Sequence, residues 1–209
     1  MNYIIDFILH FDHHLGNIIS EYGAVTYLLL FLIIFCETGL VVTPFLPGDS
    51  LIFAAGAFCA LGSLNIVLLF PLLAAAAIIG DSVNYAIGRR LSEPIRQKGR
   101  LKFIKREHLE RTAAFFERHG GKTIVIARFI PIIRTFAPFV AGAGEMRYRS
   151  FFRYNVLGGL LWVSLFSFLG FFFGSRQWVQ EHFSVILIAI ILISLTPPLF
   201  MKLLEKKGK

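Results

Sequence analysis

The chain has 209 residues, 56% hydrophobic and only 16% charged, with a formal net charge of +8. That balance excludes an ordinary soluble domain and fits one compact membrane domain with several spans. Nucleic-acid binding is not implied by the basic excess, because no Lys or Arg precedes Arg89 and the bases gather beside apolar runs, in 89–122 and 202–209; the positive-inside rule and contact with anionic headgroups account for them.

Residues 2–22 place Ile4, Ile8, Phe11, Leu15, Ile18 and Tyr22 on one helical side and Asp6, His10, His13, Asn17 and Glu21 on the other. This pattern predicts an amphipathic helix lying in the membrane interface. The cluster His10, Asp12, His13 and His14 reads as its solvated face; no metal and no cofactor are expected. No basic n-region and no small-residue cleavage site precede the first span, so no cleavable signal is expected.

The next section, 24–61, is a first span or re-entrant hairpin. Residues 24–43 are apolar except for Glu37, a length close to the ~20 residues of a span. Pro44 and Pro47 then break any helix. Residues 51–61 are too short to cross, and such a segment is expected to enter the membrane and return, which is tolerated where protein or a wet cavity surrounds it. Whether 24–43 crosses or forms an arm of that hairpin is left open by the sequence.

Residues 64–87 predict a span, ended by Gly88 and Arg89. The basic section 89–122 follows, with a surface helix suggested by Leu109, Thr112, Ala113 and Phe116, and a helix stop with a C-cap glycine at His119-Gly120-Gly121-Lys122. Residues 123–143, apolar but holding Arg128, Arg134 and two prolines, predict a second re-entrant hairpin. Arg147, Arg149 and Arg153 mark a junction, and 156–173 and 185–200 predict two further spans. The bases put 89–122, 147–153 and the C-terminus in the cytoplasm. By parity the two hairpins enter from opposite sides. The expected fold is an all-α polytopic membrane protein, an inverted repeat with two facing re-entrant helical hairpins.

The hairpins resemble each other in sequence. Phe45-Leu46-Pro47-Gly48-Asp49 runs on to Ala54-Ala55-Gly56-Ala57; Phe129-Ile130-Pro131-Ile132-Ile133-Arg134 runs on to Phe139-Val140-Ala141-Gly142-Ala143. The first copy carries two acids, Glu37 and Asp49, and the second two bases, Arg128 and Arg134. Ionisable groups inside a bilayer are costly and mark pathways or binding sites, and proline-broken segments repeated in two halves point to the site of a transporter. Guanidinium forks match phosphate oxygens, so Arg128 and Arg134 suit a lipid phosphate. Glu37 and Asp49 suit protons or monovalent cations, since a desolvated carboxylate holds a proton more readily than one in water. Gly39, Gly48 and Gly142 permit close approach, and Pro47 and Pro131 bend the chain. Asp81, Tyr85 and Arg89 form an accessory constellation, with Asp81 either joining the site or pairing locally. Cys36 and Cys59 read as small core residues.

Three strings, Phe35-Cys36-Glu37-Thr38-Gly39 through Pro47-Gly48-Asp49-Ser50, Gly80-Asp81-Ser82-Val83-Asn84-Tyr85 through Arg89, and Ala127-Arg128-Phe129-Ile130-Pro131 through Gly142, resemble the bacterial DedA family. The resemblance implies a multi-pass protein of the bacterial cytoplasmic membrane. It also implies the two-hairpin fold shared with VTT-domain lipid scramblases and a part in moving undecaprenyl phosphate or phospholipids between leaflets. The essential acids of the family fall on Glu37 and Asp49, and its essential arginines on Arg128 and Arg134. The expected function is therefore proton-coupled movement of a lipid phosphate, supporting envelope homeostasis. The alternatives are a proton/cation antiporter and a structural membrane scaffold. Catalysis is not expected, because the histidines stand apart from the charged residues. The lipid, the coupling ion and whether one chain or a homodimer works are left open.

Overall fold

The computed structural model describes residues 23–40, 48–98, 100–101, 104–105, 120–183 and 185–190. The interfacial helix expected at 2–22, Pro44 and Pro47, the helix face at 109–116 and most of the last span lie outside them. The described elements are α1 (Ala24–Gly39), α2 (Gly48–Ala60), α3 (Ile66–Lys98), β1 (Arg100–Leu101), β2 (Ile104–Lys105), α4 (Lys122–Ala127), α5 (Pro131–Ala143), α6 (Tyr148–Gly174) and α7 (Gln177–Glu181), and residues 185–190 are helical. The expected all-α class holds. The two strands are a two-residue antiparallel reversal, Arg100 opposite Lys105 and Leu101 opposite Ile104, which the sequence did not announce.

Two helices, Ile66–Ser92 of α3 and the whole of α6, are long and apolar enough to cross a membrane. Both exceed their expected limits. α3 does not stop at Gly88 and Arg89 but continues to Lys98. Gly88 serves proximity instead: a methyl group there would collide with the carbonyl of Phe139. α6 begins at Tyr148 rather than 156, because Arg149 and Arg153 lie exposed and arginine is a good helix former. α1, at 16 residues, is about 24 Å long by helical rise, short of the ~30 Å hydrocarbon core.

The surface carries many large apolar side chains, and several charged and polar residues are buried among the apolar core. Leu28, Val67, Leu157, Leu161, Phe168 and Phe172 are exposed, whereas Glu37, Asp49, Asp81, Asn84, Arg128 and Asn155 are buried. Water would penalise that apolar surface, whereas lipid solvates it, and each buried polar group then needs a protein partner.

The described residues fall into two compact units. One takes the chain up to Ile33, Gly48 to Ala74, and Val163 onward; the other takes the stretch beginning at Ile34 and Ala75–Trp162. In the first unit α2 is buried along its length from Gly48 to Cys59, against a cluster of Phe53, Ala54, Ala57, Val179, Phe183 and Leu187. Gly62 closes its C-terminus at φ +78°. Asn65 then caps α3 by accepting from Val67 N–H at 2.8 Å, filling an orphan donor of the new helix.

In the second unit α4 and α5 form a helix–turn–helix. Ile130 is extended, at φ −112° and ψ 107°, as a residue before proline must be, and Pro131 opens α5 at a position where no N–H is needed. α5 ends in a Schellman closure: Glu145 N–H bonds the Gly142 carbonyl and Met146 N–H the Ala141 carbonyl, with Glu145 itself left-handed at φ 60°.

The two units share one packing device. In the first, a methyl on Gly56 would strike the Ser167 carbonyl and one on Gly170 the Phe53 carbonyl. In the second, a methyl on Gly142 would strike the Tyr85 carbonyl and one on Gly88 the Phe139 carbonyl. A proline-preceded helix and a long helix thus meet backbone to backbone in both, each glycine three residues from the carbonyl its partner glycine faces. Small residues at such contacts are how helices associate where burial of apolar surface gives no drive. Gly56→Val and Gly142→Val should each destabilise by about 1–3 kcal/mol through overpacking, read from unfolding midpoints in detergent. Gly62→Asn should be close to neutral, because nothing lies within 4 Å of the added carbon and Asn tolerates positive φ.

Candidate functional site

The second unit encloses a small cavity lined by Glu37, Thr38, Asp81, Arg128, Arg134, Thr135 and Trp162. Each lining side chain arrives from a different local device. α1 brings Glu37 and Thr38 in its last turn. α3 brings Asp81 beside Gly80, whose missing side chain lets the α1 backbone approach: a carbon built on Gly80 would sit 2.9 Å from the Phe35 carbonyl oxygen and 3.1 Å from Gly39 N. The turn after α4 brings Arg128, and the first turn of α5 brings Arg134 and Thr135. α6 supplies Trp162.

The four charges form two ion pairs. Arg134 Nη2 donates to Glu37 Oε1, and Arg128 Nη2 donates to Asp81 Oδ2. Glu37 is 2%, Asp81 4% and Arg128 4% exposed, and the Arg134 side chain 10%, so the Arg128 pair is shut off from bulk water and the Arg134 pair largely so. Arg128 Nη2 also donates to Asn155 Oδ1 at 2.8 Å, and Asn155 is itself fixed by donating to the Ile78 carbonyl at 2.9 Å. Gly158 and Gly159 leave room for the guanidinium: a carbon on Gly159 would stand 3.0 Å from Arg128 Nη1. Trp162 presents its ring to both arginines, with its centroid 5.7 Å from Arg128 Cζ and 5.0 Å from Arg134 Cζ, within cation–π range. Arg128 Nη1 is buried without a hydrogen-bond partner among the described residues.

Asn84 braces the frame. Its Nδ2 donates to the Thr38 carbonyl at 3.0 Å and to the Thr135 carbonyl at 2.8 Å. The first satisfies an orphan carbonyl at the end of α1, and together they tie α1 to α5 through α3.

The cavity brings together Glu37, Arg128, Arg134 and Asp81 from among the residues expected in a site. Asp81 resolves toward the cluster rather than toward a local partner. Asp49 is buried in the first turn of α2, in the other compact unit, where a helix N-terminus favours a carboxylate. Tyr85 serves packing: its hydroxyl donates to the Met146 carbonyl, and its ring stacks on Phe151 with centroids 4.5 Å apart. Arg89 is exposed. Gly39, Gly48 and Gly142 are buried, Gly39 and Gly142 at close backbone approaches, and Pro131 opens α5. Pro47 lies outside the described residues. Sequence reasoning missed Trp162, Asn84 and Asn155. The available signal was two asparagines in apolar runs, each of which must bond internally.

Removing one partner from a buried pair leaves an uncompensated charge. Asp81→Asn and Arg128→Gln should therefore each cost about 3–5 kcal/mol. The Asp81→Asn/Arg128→Gln double variant should lose much less than the sum, as a double-mutant cycle of unfolding free energies in detergent would measure.

Residues 46–172 match the family model described as the VTT domain. The chain is 53% identical to Protein DedA of Escherichia coli (strain K12) over 197 residues, covering 93% of this chain and 90% of that protein. It is 39% identical to an uncharacterized membrane protein of Mycobacterium leprae (strain TN), over 80% of this chain and 75% of the relative. To the inner membrane protein YghB of Escherichia coli (strain K12) it is 35% identical, over 76% of this chain and 73% of the relative. No solved structure matches.

Proposed function

Because the chain belongs to the DedA family of VTT-domain membrane proteins, we propose that it carries a lipid phosphate, undecaprenyl phosphate or a phospholipid, between leaflets of the bacterial cytoplasmic membrane, coupled to protons. The observation that carries this reading is the pair of guanidiniums, the buried Arg128 and the largely buried Arg134, facing one cavity in a protein with many large apolar side chains on its surface. Arginines within the apolar segments of a membrane protein are rare and mark binding sites or pathways even when paired. Two forks converging on one space match the oxygens of a phosphate, while the tail of the lipid stays in the membrane.

In this reading Glu37 and Asp49 exchange protons or monovalent cations as the anion enters and leaves. α1–α2 and α4–α5 are the arms of two re-entrant hairpins, inverted relative to each other. Support comes from the shortness of α1, α2, α4 and α5 and from the glycine-to-carbonyl packing repeated in both units. Backbone breaks at membrane depth are tolerated where they line a protein-enclosed site, and sites between inverted repeats are a transporter arrangement. The basic section 89–122 and the C-terminus face the cytoplasm, as positive-inside charge requires. The work needs no enzymatic step and no cofactor.

The ion pairs favour a second reading, a structural scaffold whose buried charges only clamp helices together. Leaflet-to-leaflet movement of undecaprenyl phosphate and of common phospholipids in proteoliposomes separates the two. A carrier moves lipid as wild type and loses that movement by about tenfold or more in Arg134→Gln with insertion intact. Reversal of the pair, Glu37→Arg with Arg134→Glu, restores function in a scaffold but not in a carrier. A pH gradient should accelerate movement in wild type, and absence of movement for every lipid in well-inserted protein would retire the carrier reading.

A further inference from the structure

We infer that Asp81 is the internal counter-anion that a phosphate must displace from Arg128, and that its release takes up a proton. This rests on the carrier reading above and adds Asp81 to the acids that take up protons. Three observations lead to it. The space between the four charges is about 10 Å³, room for roughly one water, so a phosphate cannot enter while both carboxylates hold their arginines. Asp81 is the carboxylate on Arg128, as Glu37 is on Arg134. Finally, Arg128 has supports that would remain when Asp81 leaves: Asn155 Oδ1 at 2.8 Å and the Trp162 ring. Its Nη1 also lies buried without a partner among the described residues, an unused donor of a fork built for two acceptors.

Charge balance supplies the direction. Two guanidiniums and two carboxylates make a neutral cluster. A phosphomonoester brings close to two negative charges above its second pKa of about 6. Adding it to a desolvated site leaves that charge uncompensated unless protons come with it. Each displaced carboxylate accepts one proton from solution and becomes a neutral acid, so loading a monoester takes up as many as two protons and loading a diester takes up one. The charged groups around Asp81 are Arg128 beyond α4, Arg134 on α5 and Glu37 on α1, while α6 presents the neutral Asn155 and Trp162.

The test is calorimetry on the full chain in detergent, titrated with dodecyl phosphate and separately with inorganic phosphate. Buffers of differing ionisation heat give the number of protons taken up. Wild type should take up protons on binding. Asp81→Asn should take up about one fewer and bind roughly tenfold more tightly at alkaline pH, since the competing anion is gone. If Asp81 only positions Arg128, the variant binds more weakly with unchanged uptake, and the inference fails. Should Asp81→Asn not fold, the Glu37→Gln/Asp49→Asn variant decides: residual uptake of about one proton assigns it to Asp81, and none overturns the assignment. Binding by wild type without uptake sinks this inference alone, whereas no binding of either ligand sinks the carrier reading with it. Tighter binding of dodecyl phosphate than of inorganic phosphate identifies the lipid as the source; equal binding keeps the role of Asp81 and makes free phosphate the ligand.

Discussion

The second unit is organised around the cost of holding ionised groups out of water. A guanidinium held away from water is tolerated only with an opposite charge and hydrogen bonds at hand, and here the buried Arg128 and the largely buried Arg134 are neutralised by Asp81 and Glu37 around one cavity. The surrounding frame follows from that need. Asn155 orients Arg128, Trp162 covers both guanidiniums, and Asn84 ties the carbonyls of Thr38 and Thr135 together so that the helices bearing the charges stay in register. A neutral cluster of this kind holds together because each charge has its opposite beside it.

The frame is assembled without the driving force that builds soluble cores. In lipid an apolar side chain gains little by moving from tail to protein, so helices associate through close contact. The glycines Gly56, Gly88, Gly142 and Gly170 supply it, each bringing a helix against a carbonyl that a methyl group would strike. The breaks at Ile130–Pro131 serve the site in another way. They end α4 at Arg128 and start α5 just before Arg134, so one turn aims both arginines into the same cavity. A continuous helix would separate residues six apart by about 9 Å along its axis and point them to different sides.

Much was readable from the chain before any tertiary structure. Composition and the placement of bases announced a helical membrane protein, and the apolar runs located α3, α6 and the paired short helices, because solvation by lipid demands apolar length directly in the sequence. Glu37, Arg128 and Arg134 stood out by a similar logic, as charges where charge is costly. Helix ends were read less well. Gly88 looked like a stop and is a contact point, and α6 starts a full two turns early, since a glycine or an arginine has one meaning in isolation and another against a neighbour.

The sequence alone therefore determined the class of protein, the approximate positions of the two long apolar helices and which charges require explanation. Only the tertiary structure decided who pairs with whom: that Asp81 joins Arg128 from 47 residues away, that Glu37 takes Arg134 from 97 away, and that Trp162, Asn84 and Asn155 complete the enclosure. The reason is physical. Solvation preferences are properties of single residues and repeat along the chain, whereas ion pairing in a cavity depends on distances that arise only when helices far apart in sequence are packed together.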